Sequence, residues 1–340
     1  MPTPARLFAL AAAGSAAAIA ADALLRPRYS FAGKNVLITG GSRGLGLALA
    51  RRLADEGANL ALVARTRSDL RTVRDELEDR GAPLVTYFPA DLTNRAEAEA
   101  AVDASSESLG GLDALFNVAG SIQVGPLDAQ TEEDFDAAIA IHVYAPLYTT
   151  LAARRHFRAR EPGRGAARVV NIASIGGLVA VPHLLPYSTS KHALVGLTDG
   201  LRRELRRENI LVTLVNPGLM RTGSPPNVDV KGDHELEYAM FKLSDSIPGL
   251  TVAADRAAAR IVHAAREGRA RLTFPINARL AALADELAPN ASAALASAVN
   301  AALPRSGDTS IRKGFESESR LSRNPITRIT DRAAHAHNEL

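Results

Sequence analysis

The chain has 340 residues, 46% hydrophobic and 23% charged, which fits one large folded domain with extensions and excludes wholesale disorder. It has no cysteine, so disulfides, thiolate metal sites and cysteine nucleophiles are excluded, and no metal site is expected. The net charge of +3 comes mostly from arginine. Pairs such as Arg202-Arg203 and Arg206-Arg207 alternate with glutamates on one helix, which reads as a solvated face and excludes a nucleic-acid stripe.

Residues 1–30 form the first of three regions. Leu7 to Leu25 is an alanine-rich apolar run flanked by Arg6, Arg26 and Arg28. Its length matches a bilayer crossing, but alanine contributes little to insertion and Asp22 opposes it. Three readings stay open: a membrane anchor, a helix lying on the protein, and a secretory signal.

Residues 31–275 alternate apolar runs with amphipathic stretches. Strands are predicted at Asn35–Thr39, Ala58–Ala64, Leu84–Phe88, Ala114–Asn117, Arg168–Ala173, Leu211–Val215 and Arg271–Phe274. Helices are predicted at Leu45–Asp55, Ser68–Arg80 with Ser68 as cap, Arg95–Ser108, a long stretch Thr131–Arg160, and Pro186–Glu208. Strict alternation with near-continuous apolar strands implies an α/β fold, a Rossmann-type doubly wound parallel sheet in a single domain. Residues 276–340 are expected to be an extension: helices over Ile276–Leu303 interrupted at Pro289, then a loose polar tail packing on the domain or on a partner subunit.

The turn after the first strand reads Thr39-Gly40-Gly41-Ser42-Arg43-Gly44-Leu45-Gly46 and leads into a helix. Glycines there allow a tight turn and a close backbone approach, and the helix N-terminus attracts a pyrophosphate. An NAD-type site wants an acid at the end of the second strand, for the ribose 2′-hydroxyl. Arg65 stands there instead, and Arg43 lies within the loop, so the cofactor is expected to be NADP(H). That cofactor implies a cytoplasmic chain, membrane-associated if residues 7–25 anchor it.

Tyr187 and Lys191 fall at i and i+4, on one helix face, and Ser174 lies just past the fifth strand. A lysine beside a phenol stabilises the phenolate and lowers its pKa, so the tyrosine can exchange a proton with a carbonyl or alcohol oxygen. Ser174 is placed to hold the same oxygen.

These motifs, in this order and spacing, resemble the classical short-chain dehydrogenase/reductase family over about residues 31–275. Thr39, Gly40, Gly44 and Gly46 match its glycine loop, and Asp91-Leu92 looks like the pair that contacts adenine. Asn117-Val118-Ala119-Gly120 is similar to the family's Asn-Asn-Ala-Gly motif, with Val118 replacing the second asparagine. Ser174, Tyr187 and Lys191 match the catalytic serine, tyrosine and lysine. Asn216-Pro217-Gly218 matches the motif after strand six, and Thr222 falls where members hold the nicotinamide amide. The resemblance implies hydride transfer between NADP(H) and a small-molecule carbonyl or alcohol, with Tyr187 handling the proton. A homo-oligomer, dimer or tetramer, is also expected.

One position departs from the family. Its helix after strand four often carries an asparagine that supports a water-linked proton relay to the lysine, and here His142 stands in that place. A histidine titrates near neutral pH, so a working relay with altered pH dependence is one expectation; a structural histidine capping local backbone groups is the other. Between Leu219 and Leu250, Tyr238, Met240, Phe241, Leu243 and Ile247 suggest either a lipophilic substrate wall or ordinary helix packing. The competing class is an inactive NADP-binding regulator or scaffold, which would not need the serine, tyrosine and lysine set.

Overall fold

The central strands bury their side chains alternately on two faces, and this decides the architecture. The structure, a computed structural model, describes residues 29–161, 163–247 and 249–340, so the Leu7–Leu25 segment lies outside it. Strands β1 (Asn35–Thr39), β2 (Asn59–Ala64), β3 (Val85–Pro89), β4 (Ala114–Asn117), β5 (Ala167–Ile172), β6 (Ile210–Pro217) and β7 (Arg271–Phe274) form one sheet. Its order is β7-β6-β5-β4-β1-β2-β3, and every pairing is parallel. The helices are α1 (Gly44–Asp55), α2 (Arg67–Asp79), α3 (Arg95–Leu109), α4 (Glu132–Ile139), α5 (Ala145–Arg158), α6 (Leu185–Leu205), α7 (His234–Ser244) and α8 (Ala254–Arg266), then α9 (Ile276–Leu287), α10 (Pro289–Ala301) and α11 (Arg328–Ala336) in the C-terminal extension.

On one face, Val36, Ile38, Leu60, Leu62 and Phe116 pack against α1 and α8. On the other, Leu37, Ala61, Val63 and Leu115 pack against α3 and α5. Two buried faces explain why the strands read as unbroken apolar runs. The chain runs outward from β1 in both directions, to β2 and to β4, so a crevice opens above the carboxyl ends of β1 and β4. That switch point is where open α/β sheets bind ligands.

Three expectations are corrected. Ser68 does not cap α2: Thr66 stands at the N-cap, and the Ser68 hydroxyl lies in the first turn, donating to Asp69 Oδ1 at 3.1 Å. The helical stretch 131–160 is not continuous. A wide, π-type turn over Ala140–Tyr144 separates α4 from α5. Pro146 has no N–H to close an ordinary turn onto the His142 carbonyl, which favours the wider winding. Nor is the tail loose. Arg312–Lys313 pairs antiparallel with Asp229–Val230, and Ser322, Thr327, Thr330 and Ala334 are buried. The polar side chains that suggested a loop hydrogen-bond its backbone instead, as when Asn324 Oδ1 accepts from the Ile326 and Thr327 amides.

Among the described residues, no helix is long and apolar enough to cross a membrane.

Candidate active site

The end of β5 and the start of α6 bring the chemistry together. Past Ile172 the chain turns at Ser174, whose hydroxyl accepts from the Gly176 amide at 3.1 Å. Pro186 sits in the first turn of α6, where no partner for its missing N–H is needed. One turn of helix then carries Tyr187 and Lys191. Gly176 lets the ring approach closely: a Cβ there would stand 3.2 Å from Tyr187 Cε1 and 3.5 Å from Ser174 Oγ. Lys191 Nζ lies 5.6 Å from the Tyr187 ring centroid and donates to the Ile172 carbonyl at 3.0 Å.

His142, buried in the wide turn, sets its ring edge-on to Tyr187, with centroids 5.5 Å apart. The Ser121 amide donates to its Nε2 at 3.2 Å, so that nitrogen carries no hydrogen. Nδ1 is therefore the donor, to Ser190 Oγ at 2.8 Å, and Ser190 Oγ donates to the Tyr187 carbonyl at 2.8 Å. Both ring nitrogens are engaged with the protein. Ser190 was missed in the sequence, though it lies on the same helix, three residues after Tyr187. Ser121 gave no sequence signal, because it contributes only a backbone amide.

The glycine loop adjoins this cluster. Gly40 takes φ 67°, and a Cβ there would meet the Ala119 Cα at 2.8 Å. Thr39 Oγ1 accepts from the Val118 and Ala119 amides at 3.0 and 3.2 Å, tying the end of β1 to the end of β4. Gly120 continues the surface: a Cβ there would stand 2.9 Å from His142 Nε2 and 3.7 Å from Lys191 Nζ. Ser42 and Leu45 are buried beneath the loop. Thr222, just past β6 and the Pro217-Gly218 turn, has its Cβ 3.9 Å from where a Gly44 Cβ would stand. Gly218 is fixed by its amide, which donates to the Phe274 carbonyl at 2.7 Å.

Not every expected residue faces this surface. The Asn117 amide nitrogen donates to Asn171 Oδ1 and Thr150 Oγ1, and its oxygen accepts from Thr149, so its side chain is fully engaged in the core. Leu92 is buried, and the Asp91 carboxylate accepts from the Thr93 amide and hydroxyl. Arg65 is exposed at the end of β2, and its charge helps hold Asp91 below the usual carboxylate range. Arg43 Nη1 donates to Asn227 Oδ1 at 2.9 Å, with Glu339 3.7 Å from its Nε. No group of acidic or histidine side chains able to hold a metal ion occurs among the described residues.

The family model described as short chain dehydrogenase matches residues 34–230, more than half of the chain. The chain belongs to the short-chain dehydrogenase family. It is therefore an oxidoreductase of alcohol and carbonyl groups. It is 31% identical over 199 residues to L-2,3-butanediol dehydrogenase of Corynebacterium glutamicum, covering 58% of this chain and 76% of that one. It is 34% identical over 190 residues to D-beta-hydroxybutyrate dehydrogenase of Rhizobium meliloti, covering 56% and 72%. A short chain dehydrogenase from Burkholderia cenocepacia, solved in complex with NADP, superposes with a TM-score of 0.62 at 31% identity, over 73% of this chain and 98% of that one.

The electrostatics of this short-chain dehydrogenase depart from expectation. Burial raises the Tyr187 phenol above its ordinary pKa, with the Ser174 hydroxyl pulling it down and the Asp245 carboxyl pushing it further up. Burial pushes Lys191 down to about 7. Desolvation thus shifts both groups towards their neutral forms and leaves Lys191 partly protonated near pH 7. His142 is also held well below its ordinary value, by burial and by the Lys191 charge. That favours the neutral ring and supports a structural role for His142 over a titrating relay. Asp245, just after α7, is pushed up to about 7 by burial; the sequence gave no sign that it reaches Tyr187.

The Lys191 shift carries a stability prediction. Between pH 7 and the ordinary lysine range the unfolded chain holds a proton that the folded chain has released. Stability therefore rises with pH in that window, by at most about 1.4 kcal/mol per unit. Urea unfolding of wild type and Lys191→Met between pH 7 and 9 should show the steeper rise in wild type. Equal slopes would exclude the depressed Lys191.

Proposed function

We propose that the chain is an NADP(H)-dependent carbonyl/alcohol oxidoreductase whose catalytic residues are Ser174, Tyr187 and Lys191. The observation that carries this reading is their convergence at the carboxyl end of β5, joined through Gly120 to the glycine loop. The loop fits a dinucleotide. Gly40 takes the left-handed turn and Gly46 lets α1 start against it, so the helix N-terminus, where a pyrophosphate is favoured, faces the loop. When bound, the nicotinamide supplies or accepts the hydride at the substrate carbon.

The protein's own groups do the rest. Ser174 Oγ orients the substrate oxygen, and Tyr187, a neutral phenol, donates the proton in the reduction direction. Lys191 sits beside both and is placed to balance charge as the phenol ionises. His142 acts as a positioning residue: as a neutral bridge it pins the backbone of Tyr187 through Ser190. Asn117 supports the site from below through its network with Asn171. The substrate is lipophilic in this reading. Leu243 and Ile247, on either side of Asp245, and Val181 and Leu185, ahead of Tyr187 in the chain, are exposed apolar side chains that support it. Tyr238 is excluded from that wall, since it is fully buried against Val228 and Val230.

The preference for NADP(H) rests on Arg65, which stands where an acid would select NAD, and on the NADP complex of the Burkholderia neighbour. Arg65→Asp should raise KM for NADPH about tenfold, the loss of one charge-assisted contact, and change KM for NADH far less. Steady-state rates with both dinucleotides over a panel of lipophilic ketones would measure it. An unaltered NADPH-to-NADH ratio would remove Arg65 from the cofactor site.

A further inference from the structure

The last residues of the chain lie on the glycine loop. After α11 the chain crosses the N-terminus of α1, and the Gly44 amide donates to the His337 carbonyl at 2.8 Å. Asn338, in the left-handed region at φ 56°, donates from Nδ2 to the Ser42 carbonyl at 3.0 Å. The Glu339 carboxylate is buried against Gly44, with Oε1 2.4 Å from where a Cβ would stand. Its Oε2 accepts from Asn227 Nδ2 at 2.8 Å, and Asn227 Nδ2 also donates to the Glu339 backbone oxygen at 2.6 Å. Arg43 faces the same pair, at 2.9 Å from Asn227 and 3.7 Å from Glu339.

The segment is seated there by more than its tip. Arg51 Nη1 donates to the Ala336 carbonyl at 2.7 Å. Gly223, at φ 85°, lets α11 approach so closely that a Cβ would lie 2.2 Å from the Ala334 Cα. Residues 337–339 therefore occupy the first amide of α1, the space over Gly44 and the face of Arg43. A dinucleotide seated on this loop needs the same amide, space and guanidinium, and the two cannot share them.

The geometry points to an intramolecular ligand: the C-terminal turn His337-Asn338-Glu339 binds the glycine loop as a carboxylate-bearing stand-in for the dinucleotide and competes with it. This rests on the reading of the loop as the dinucleotide site. Tethering keeps the turn at high local concentration, so the apparent dinucleotide affinity is the intrinsic affinity multiplied by the fraction of chains whose turn is released. Desolvation accompanies the seat: burial pushes the Glu339 carboxyl up to about 7, with the Arg43 charge and Asn227 only partly offsetting it.

The test titrates NADPH and, separately, NADH into the intact chain and into a chain ending at Ala336, following dinucleotide fluorescence. The shortened chain should bind its preferred dinucleotide at least about tenfold more tightly, which is about 1.4 kcal/mol. Equal affinities, or weaker binding by the shortened chain, would overturn the competition. Tighter NADH than NADPH binding would overturn the NADP(H) preference alone, because the ratio between the two chains is read with either dinucleotide. No binding of either by either chain would overturn both. Amide hydrogen exchange of the unaltered chain is an independent readout: saturating dinucleotide should accelerate exchange of the Glu339 amide, which donates to the Ala334 carbonyl in the seated turn, and an unchanged or slower exchange counts against the seat.

Discussion

Tyr187→Phe is expected to lower kcat for NADPH-dependent carbonyl reduction by about 10²- to 10⁴-fold, the range of a positioned general acid. The substitution removes one oxygen and keeps the ring. The ring is what packs on Gly176 and stands edge-on to His142, so the fold of the site survives. The proton donor is lost at a place where burial keeps the phenol protonated. Ser174 still holds the substrate oxygen but stays the weaker acid, so it does not replace the phenol. Dinucleotide affinity, read by fluorescence titration, should stay within about twofold, because the loop is untouched. A kcat within about threefold of wild type would displace Tyr187 from the chemistry.

What the sequence revealed of this site depended on how local each feature is. The strand, glycine turn and helix from Asn35 to Asp55 are contiguous, so their order alone exposes the loop. Tyr187 and Lys191 are one helical turn apart, so spacing alone puts them together. The wide turn at Ala140–Tyr144 escaped because hydrophobic period and helix propensity do not distinguish it from ordinary helix; only Pro146 hinted at it. The downward pKa shifts of His142 and Lys191 were hidden because they come from tertiary burial, and a residue's type reports only its ordinary pKa. Least visible was the seat of the C-terminal turn. Ser42 and Asn338 are 296 positions apart, and a mixed polar stretch such as 304–340 has no period from which docking could be read. Arg43 shows both sides. Its place in the loop was evident from the sequence, but its partners Asn227 and Glu339 were not.

The loop itself offers the sharpest test of why its glycines are there. Gly46 lies in the first turn of α1, and a Cβ added to it would stand 1.9 Å from the Gly40 carbonyl oxygen, 2.7 Å from the Gly40 carbonyl carbon and 3.1 Å from the Gly41 Cα. All three are backbone atoms, so no side chain can swing aside. The backbone is itself pinned, by the Gly40 amide donating to the Val63 carbonyl at 2.7 Å and by Thr39 bridging to Ala119. Gly46→Ala must therefore displace the loop or the start of α1. We expect a loss of about 3 kcal/mol of folding stability, the upper end for overpacking, and a dinucleotide Kd raised by more than about a hundredfold. Gly196→Ala is the matched control. It lies exposed in the interior of α6, with nothing within 4 Å of an added Cβ. There alanine should raise stability by about 0.5–1 kcal/mol, because glycine loses more backbone freedom on folding. Urea unfolding of the two variants should give opposite signs for the same chemical change. If Gly46→Ala were as stable as wild type and bound dinucleotide normally, close contact between α1 and the glycine turn would no longer explain why this position is a glycine.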